Sequence, residues 1–311
     1  MEQQKVSSLK MHSATPSLTE KSKRFFKKYK LIHLLFVLPA LVLNLVFFIY
    51  PLINAFTMSF YSVPMLGDWS FIGFDHYIKL FHDPTFWNAL LFTFKYILLI
   101  TVPLFLLGLA LALLVNKKLP FVTFFRAVYF VPVVISMTAS SLIWLWAYND
   151  LYGIINFYLV EIGIIDQPIV WMQKAATSLP AICLMITWKM AGFTMIIILS
   201  ALQSIPDEVY EASKIDGANK WQTFLWITMP LLKPAIILSL VVSVIGSALA
   251  FEQFVIMTQG GPSNSTTTIV HLIYNTSFKY FDFGYGAAMA IVLLIILIML
   301  SSIQVKVVSK G

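Results

Sequence analysis

The chain has 311 residues, 59% of them hydrophobic, 15% aromatic and 11% charged, with a mean hydropathy of +0.84. Soluble domains carry about 25% charged residues, so too little polar surface is present to coat a water-soluble particle of this size. A single cysteine, Cys183, excludes a disulfide-stapled secreted scaffold, and the apolar surplus excludes disorder.

The net charge of +7 is unevenly distributed. Eight of the 21 basic residues lie within the first 30 positions: Lys5, Lys10, Lys21, Lys23, Arg24, Lys27, Lys28 and Lys30. A basic tail (1–30) abutting an apolar run reads as an orientation signal rather than a nucleic-acid arm. The following apolar stretch is long enough to cross a bilayer, so the first span is expected to be an uncleaved anchor.

About 20 apolar residues are needed for a helix to cross the hydrocarbon core. Six stretches qualify: 31–53, 89–115, 127–147, 179–202, 235–257 and 286–304. The expected architecture is therefore an all-α membrane protein, with one six-span domain over 31–304 and a short tail at 305–311. With the N-terminus cytoplasmic, sixteen basic residues fall inside and only Lys79, Lys174 and Lys279 outside. That bias predicts both termini in the cytoplasm. The aromatic-rich outer loops 54–88 and 148–178 read as an interfacial belt or as a docking face for an extracellular partner.

The strongest local signal is the polar insert 203–234, QSIPDEVYEASKIDGANKWQTFLWITMPLLKP. Helix–helix connections normally take about 2–8 residues. Ser204 is expected to cap a short helix, with Pro206 early in it and Asp207 completing a capping box. Asp207, Glu208 and Glu211 place negative charge near the positive helix end. Gly217 suits a left-handed stop, and Trp221, Phe224 and Leu225 recur at helical spacing before Pro230 ends the run. Spacing alone leaves two readings, docking to a partner or lying on the headgroups.

Within this insert, Glu211-Ala212-Ser213, three residues, Gly217, nine residues, Ile227, one residue, Met229-Pro230 closely resembles the EAA loop of binding-protein-dependent ABC importer permeases. Serine at 213 and methionine at 229 are mild departures. FIGFDHYIKLFHDPTFWNAL, FFRAVYFVPVVIS, LYGIINFYL, WKMAGF and TQGGPSNSTTT extend the resemblance to the sugar-permease branch over about the last 290 residues. The Gly260-Gly261-Pro262 element is similar to the F-like half of maltose-type permease pairs, in its compact six-span form.

The resemblance implies the type I importer permease fold in a bacterial or archaeal cytoplasmic membrane, with Glu208, Glu211, Ala212, Ser213, Asp216, Gly217 and Pro230 coupling to an ATPase. It implies as partners a homologous second permease in a heterodimer, two cytoplasmic ABC ATPases, a solute-binding protein met by the Gly260–Gly261–Pro262 loop, and a sugar, with no nucleic acid. It also implies a non-enzymatic subunit that binds no cofactor, ATP and Mg²⁺ being used by the ATPase. No glycine precedes a lysine, so the phosphate-binding loop of an ATPase is absent from the sequence. The alternative solute is a non-sugar such as a glycerol phosphate ester. A stand-alone secondary transporter is the rival class, and the sequence shows neither inverted repeats nor broken helices to support it.

Polar groups inside spans are functional candidates. Trp188, Lys189, Phe193, Ser247, Glu252 and Gln253 flank the positions that line the sugar in maltose-type permeases, which here are Ile186, Met190, Gly246 and Ala250. Their apolar or small character departs from the maltose pocket. Lys189 and Glu252 are placed to pair, as sugar contacts or as a structural ion pair, while Lys95 is expected to snorkel. The five histidines (His12, His33, His76, His82, His271) are dispersed and offer no metal-ligand cluster.

Overall fold

The computed structural model describes residues 36–117 and 120–309. The basic tail 1–30, the start of the first expected span, Lys118 and Lys310 lie outside them. Two units are present, Met1–Ala55 and Phe56–Gly311. The described residues are helical apart from one small hairpin, Tyr61–Ser62 (β1) against Ser70–Phe71 (β2), antiparallel with Tyr61 opposite Phe71.

The helices, in chain order, are α1 Phe36–Met58, α2 Asp75–His82, α3 Pro84–Val115, α4 Val122–Val134, α5 Met137–Ala147, α6 Ile154–Glu161, α7 Ala175–Ser204 and α8 Asp207–Ile215. They continue with α9 Lys220–Ala248, α10 Glu252–Met257, α11 Ile269–Tyr274 and α12 Phe283–Ser309. Five of these, α1, α3, α7, α9 and α12, are long and apolar enough to cross a membrane, and the bent pair α4–α5 brings the number to as many as six. Residues 305–309, expected as tail, continue α12.

Two of the expected spans differ in form. The third is not one rod: α4 and α5 meet at 96° across Ile135 and Ser136. Pro132 lies in the last turn of α4 and Ser136 caps α5, its hydroxyl accepting from the Ala139 amide at 3.1 Å. A broken helix is thus present where none was expected. The fifth span stops at Ala248, and a three-residue break separates it from α10, so 249–257 are not its continuation.

Helix α7 is the most buried span. Around it gather two apolar clusters. One joins Tyr96, Ile100, Ile182, Met185 and Phe254; the other joins Leu109, Ala112, Ile198, Leu202 and Leu232. The contact of α7 with α4 depends on Gly192, where a Cβ would fall 2.1 Å from the Tyr129 carbonyl oxygen. Arg126 closes the end of α3 by donating from Nε and Nη2 to the Val115 carbonyl at 3.3 and 2.9 Å, a cation at a helix C-terminus.

At the start of α3, Asp83 is the N-cap and accepts from the Thr85 amide at 2.8 Å, with Pro84 at the first helical position. The Tyr285 hydroxyl of α12 donates to its other oxygen at 2.7 Å. Burial alone would raise the Asp83 carboxyl, but the hydrogen bonds from Tyr285 and Thr85 outweigh it and hold the group below its ordinary value. A depressed carboxyl stabilises the fold above its unfolded pKa, about 3.9, and that contribution is lost as pH falls through the folded value. Tyr285→Phe is expected to lower the thermal midpoint in detergent at pH 7 by an amount that shrinks below about pH 4. A pH-independent difference would assign the effect to packing alone.

Candidate functional site

The loop between α7 and α9 is ordered by its own side chains. Helix α8 starts after Pro206, which is the N-cap and gives no side-chain hydrogen bond, while Ser204 closes α7 instead of capping α8. The capping box lies later, at Asn219 and Gln222, where the Asn219 side chain accepts from the Gln222 amide at 2.9 Å and Gln222 Oε1 accepts from the Asn219 amide at 2.9 Å. Gly217 has φ +79 and ends α8 as expected; its amide donates to the Lys214 carbonyl at 3.1 Å.

Ser213 faces into the elbow. It is 4% exposed, donates to the Tyr210 carbonyl at 2.8 Å and stands 3.4 Å from Thr223 Oγ1. The side chains of Glu208, Glu211, Ala212, Asp216, Trp221 and Trp226 are exposed. Among the coupling candidates, then, Ser213 belongs to the interior of the loop and the carboxylates to its surface. Pro230 does not end the helix: it occupies an early position of Met229–Ala248, joined to Lys220–Thr223 by a π turn at Phe224–Thr228.

A cavity of about 170 Å³ opens between α3, α5, α7 and α9. Its wall includes Phe193, Ser247 and Gln253, together with Ile186, Met190 and Gly246. Trp188, Lys189 and Glu252 are not on this wall, and neither is Ala250. Trp188 packs on Trp144 with ring centroids 5.7 Å apart. Lys189, 4% exposed, donates from Nζ to the carbonyls of Pro132, Val133 and Ile135. Glu252 accepts from Thr138 Oγ1 at 3.1 Å. The expected Lys189–Glu252 ion pair does not form; among the described residues, the pair within 4 Å is Lys79–Asp282. Both ends of the bent α4–α5 pair offer these two side chains closer polar partners.

Sequence reasoning missed Tyr96, Met137, Thr194, Ser239 and Ser243, which also line the cavity. Ser239, Ser243 and Ser247 recur every fourth residue along α9, one face of a helix, and this spacing is a readable signal. Ser243 Oγ is buried with no hydrogen-bond partner among the described residues. Gln253 Nε2 donates to the Tyr96 hydroxyl at 3.4 Å. The wall thus combines aromatic faces with hydroxyl and amide groups, able to stack on and hydrogen-bond to a polyhydroxylated solute.

The Gly260–Gly261–Pro262 loop is pinned from beneath by three buried threonines. Thr266 donates to the Gly261 carbonyl at 2.6 Å, and its hydroxyl oxygen lies 2.8 Å from Thr258 Oγ1. Thr268 donates to the Ala250 carbonyl at 2.8 Å and caps α11, and the Ile269 amide donates to Thr93 of α3 at 2.9 Å. The glycine loop is therefore tied to α3 and to the end of α9.

Comparison with known proteins bears on the whole of this arrangement. The family model for the inner-membrane component of binding-protein-dependent transport systems matches residues 84–311. The sulfoquinovosyl glycerol transport system permease protein SmoG of Agrobacterium fabrum is 34% identical over 286 residues, 90% of this chain and 91% of its own length. The lactose transport system permease protein LacF of Rhizobium radiobacter is 36% identical over 280 residues, covering 87% and 91%. The arabinooligosaccharides transport system permease protein AraP of Bacillus subtilis is 35% identical over 280 residues, covering 88% and 87%. Among solved structures, a chain of a bacterial ABC transporter that imports the acidic polysaccharide alginate superposes with a TM-score of 0.79, covering 92% of this chain and 99% of that one, at 24% identity.

Proposed function

This chain belongs to the family of inner-membrane components of binding-protein-dependent transport systems, and from that premise we propose that it is the permease subunit of an ATP-driven carbohydrate importer of the oligosaccharide class. It works as a heterodimer with a homologous permease, on two cytoplasmic ATPase subunits that bind ATP and Mg²⁺, and receives sugar from an external solute-binding protein. It sits in a bacterial or archaeal cytoplasmic membrane with both termini inside, an orientation that the basic-residue bias supports.

The observation that carries this reading is the elbow. Its α8 is fixed from within by Ser213, Tyr210 and the Gly217 turn, while Glu208, Glu211 and Asp216 stand exposed. A rigid, charged, outward helix suits docking better than an unstructured connection. ATP-driven closure of the ATPases moves two such elbows together and turns the cavity from inward-facing to outward-facing. Nucleotide and binding protein must each favour one state, since equal affinity for both shifts nothing.

The relatives named for sulfoquinovosyl glycerol, lactose and arabinooligosaccharides support a glycoside substrate, and so do the hydroxyls and rings of the cavity wall. At about 170 Å³ the cavity is smaller than the ligand sites of about 300–1,000 Å³ found in proteins. The second permease supplies the other wall. Gln253→Ala is expected to raise the half-saturating sugar concentration about tenfold, the effect of losing roughly 1.4 kcal/mol, with assembly unaltered. Retained affinity would remove Gln253 from the binding wall.

The test of the function is ATP-dependent uptake of labelled oligosaccharides by proteoliposomes holding the complete set of subunits. Accumulation of solute against its gradient by this chain alone would overturn the reading. Uptake confined to glycerol phosphate esters would overturn the substrate class.

A further inference from the structure

The break between α4 and α5 is held by two charges that the cavity does not use. An α-helix leaves its last four carbonyls without intrahelical partners, and the turn of 96° carries α5 away from the end of α4. Lys189 reaches this end from α7. It lies three residues before Gly192, on the same face of the helix, and the close seat of Gly192 on Tyr129 brings its stem against α4. Its ammonium offers three donors, and the carbonyls of Pro132 at 3.3 Å, Val133 at 3.4 Å and Ile135 take them.

On the other side of the break, Thr138 sits in the first turn of α5 and donates to Glu252 Oε2 at 3.1 Å. Helix ends carry opposite partial charges, negative at the C-terminus and positive at the N-terminus. A cation thus meets the C-terminus of α4, and a carboxylate meets the N-terminus of α5. The first residue of α5, Met137, is part of the cavity wall, while Lys189 and Glu252 are not.

We propose that Lys189 and Glu252 are positioning residues, a two-point clamp that fixes the angle between α4 and α5 and so sets where Met137 stands in the cavity wall. Sugar contact by Lys189 is disfavoured because its donors are already committed to main-chain carbonyls. The charge on each side chain matters, because each complements a helix end as well as making hydrogen bonds.

The test measures the angle itself. Spin labels at Val128→Cys and Ile143→Cys occupy exposed positions on the two half-helices, and the native Cys183 is buried. In the full chain in lipid nanodiscs, pulsed electron resonance is expected to give one narrow label separation. Lys189→Met should lengthen that separation by several ångström and broaden it, and Lys189→Arg should restore it. Glu252→Gln keeps an acceptor for Thr138 but not the charge, so it should broaden the separation partway; this variant carries the test if Lys189→Met does not fold. An unchanged separation in Lys189→Met, or in Glu252→Gln where that variant carries the test, overturns the clamp. A rise in half-saturating sugar concentration with the separation unchanged would make these residues ligands instead. The readout needs no transport, so the clamp and the importer assignment fail separately.

Discussion

Glu211→Arg is expected to reduce ATP-driven uptake at least about tenfold while leaving membrane insertion and the thermal midpoint of the permease unchanged. The side chain is exposed on α8 and makes no hydrogen bond or ion pair among the described residues, so the fold loses nothing when it is changed. Surface substitutions away from structural features stay within about ±0.5 kcal/mol. If α8 docks through its carboxylates on a complementary basic surface of the ATPase, as proposed, the new cation meets like charge there, which costs several kcal/mol, and about 1.4 kcal/mol is already a tenfold loss of affinity. Gly217→Pro should give the same loss by another route. Proline fixes φ near −65°, whereas Gly217 has φ +79, and it removes the amide that bonds Lys214. Uptake and sugar-stimulated ATP hydrolysis are the measurements. Normal uptake in both variants would remove the docking role of α8 and favour a loop lying on the headgroups.

Gly192→Val should prevent recovery of a monodisperse folded permease. The first added carbon would lie 2.1 Å from the Tyr129 carbonyl oxygen and 2.9 Å from Phe130 Cα. Both are main-chain atoms, so relief requires moving α4 away from α7. Overpacking in a close-packed interior costs about 1–3 kcal/mol and sometimes more, and here it also withdraws Lys189 from the carbonyls at the end of α4. Gly246→Ala is the matched control: a Cβ there meets nothing within 4 Å, although the residue lines the cavity. Yield and thermal midpoint should fall for the first and stay unchanged for the second. Equal yields would show that α4 and α7 yield more easily than their contact implies.

The spans were readable because lipid demands about 20 apolar residues wherever a helix crosses. Hydropathy carries no information on direction, so the turn at Ile135–Ser136 is invisible to it inside a predominantly apolar run. Ser136 followed three residues later by Ala139 resembled any other polar spot in that run. The elbow was legible through Gly217, since the left-handed region is open to few other residues. Its cap was misplaced, because Ser204, Pro206 and Asp207 imitate a capping box that Asn219 and Gln222 actually form. Lys189 and Glu252 stand out in the sequence as charges within apolar runs, but their partners are backbone carbonyls and a threonine that only the folded chain brings near. The serine repeat at 239, 243 and 247 was present at helical spacing and was hidden by the strong hydropathy around it.

Helix α9 joins the elbow to the cavity as a single rod of 29 residues, about 43 Å at 1.5 Å per residue. Its irregular stretch, the π turn at Phe224–Thr228, lies near the base. Ser247 stands about 28 Å beyond it. Pivoting there by about 10° sweeps the serine face sideways by about 5 Å, the pitch of one helical turn. A long arm of this kind would turn a small displacement at its foot into one of several ångström beside the cavity.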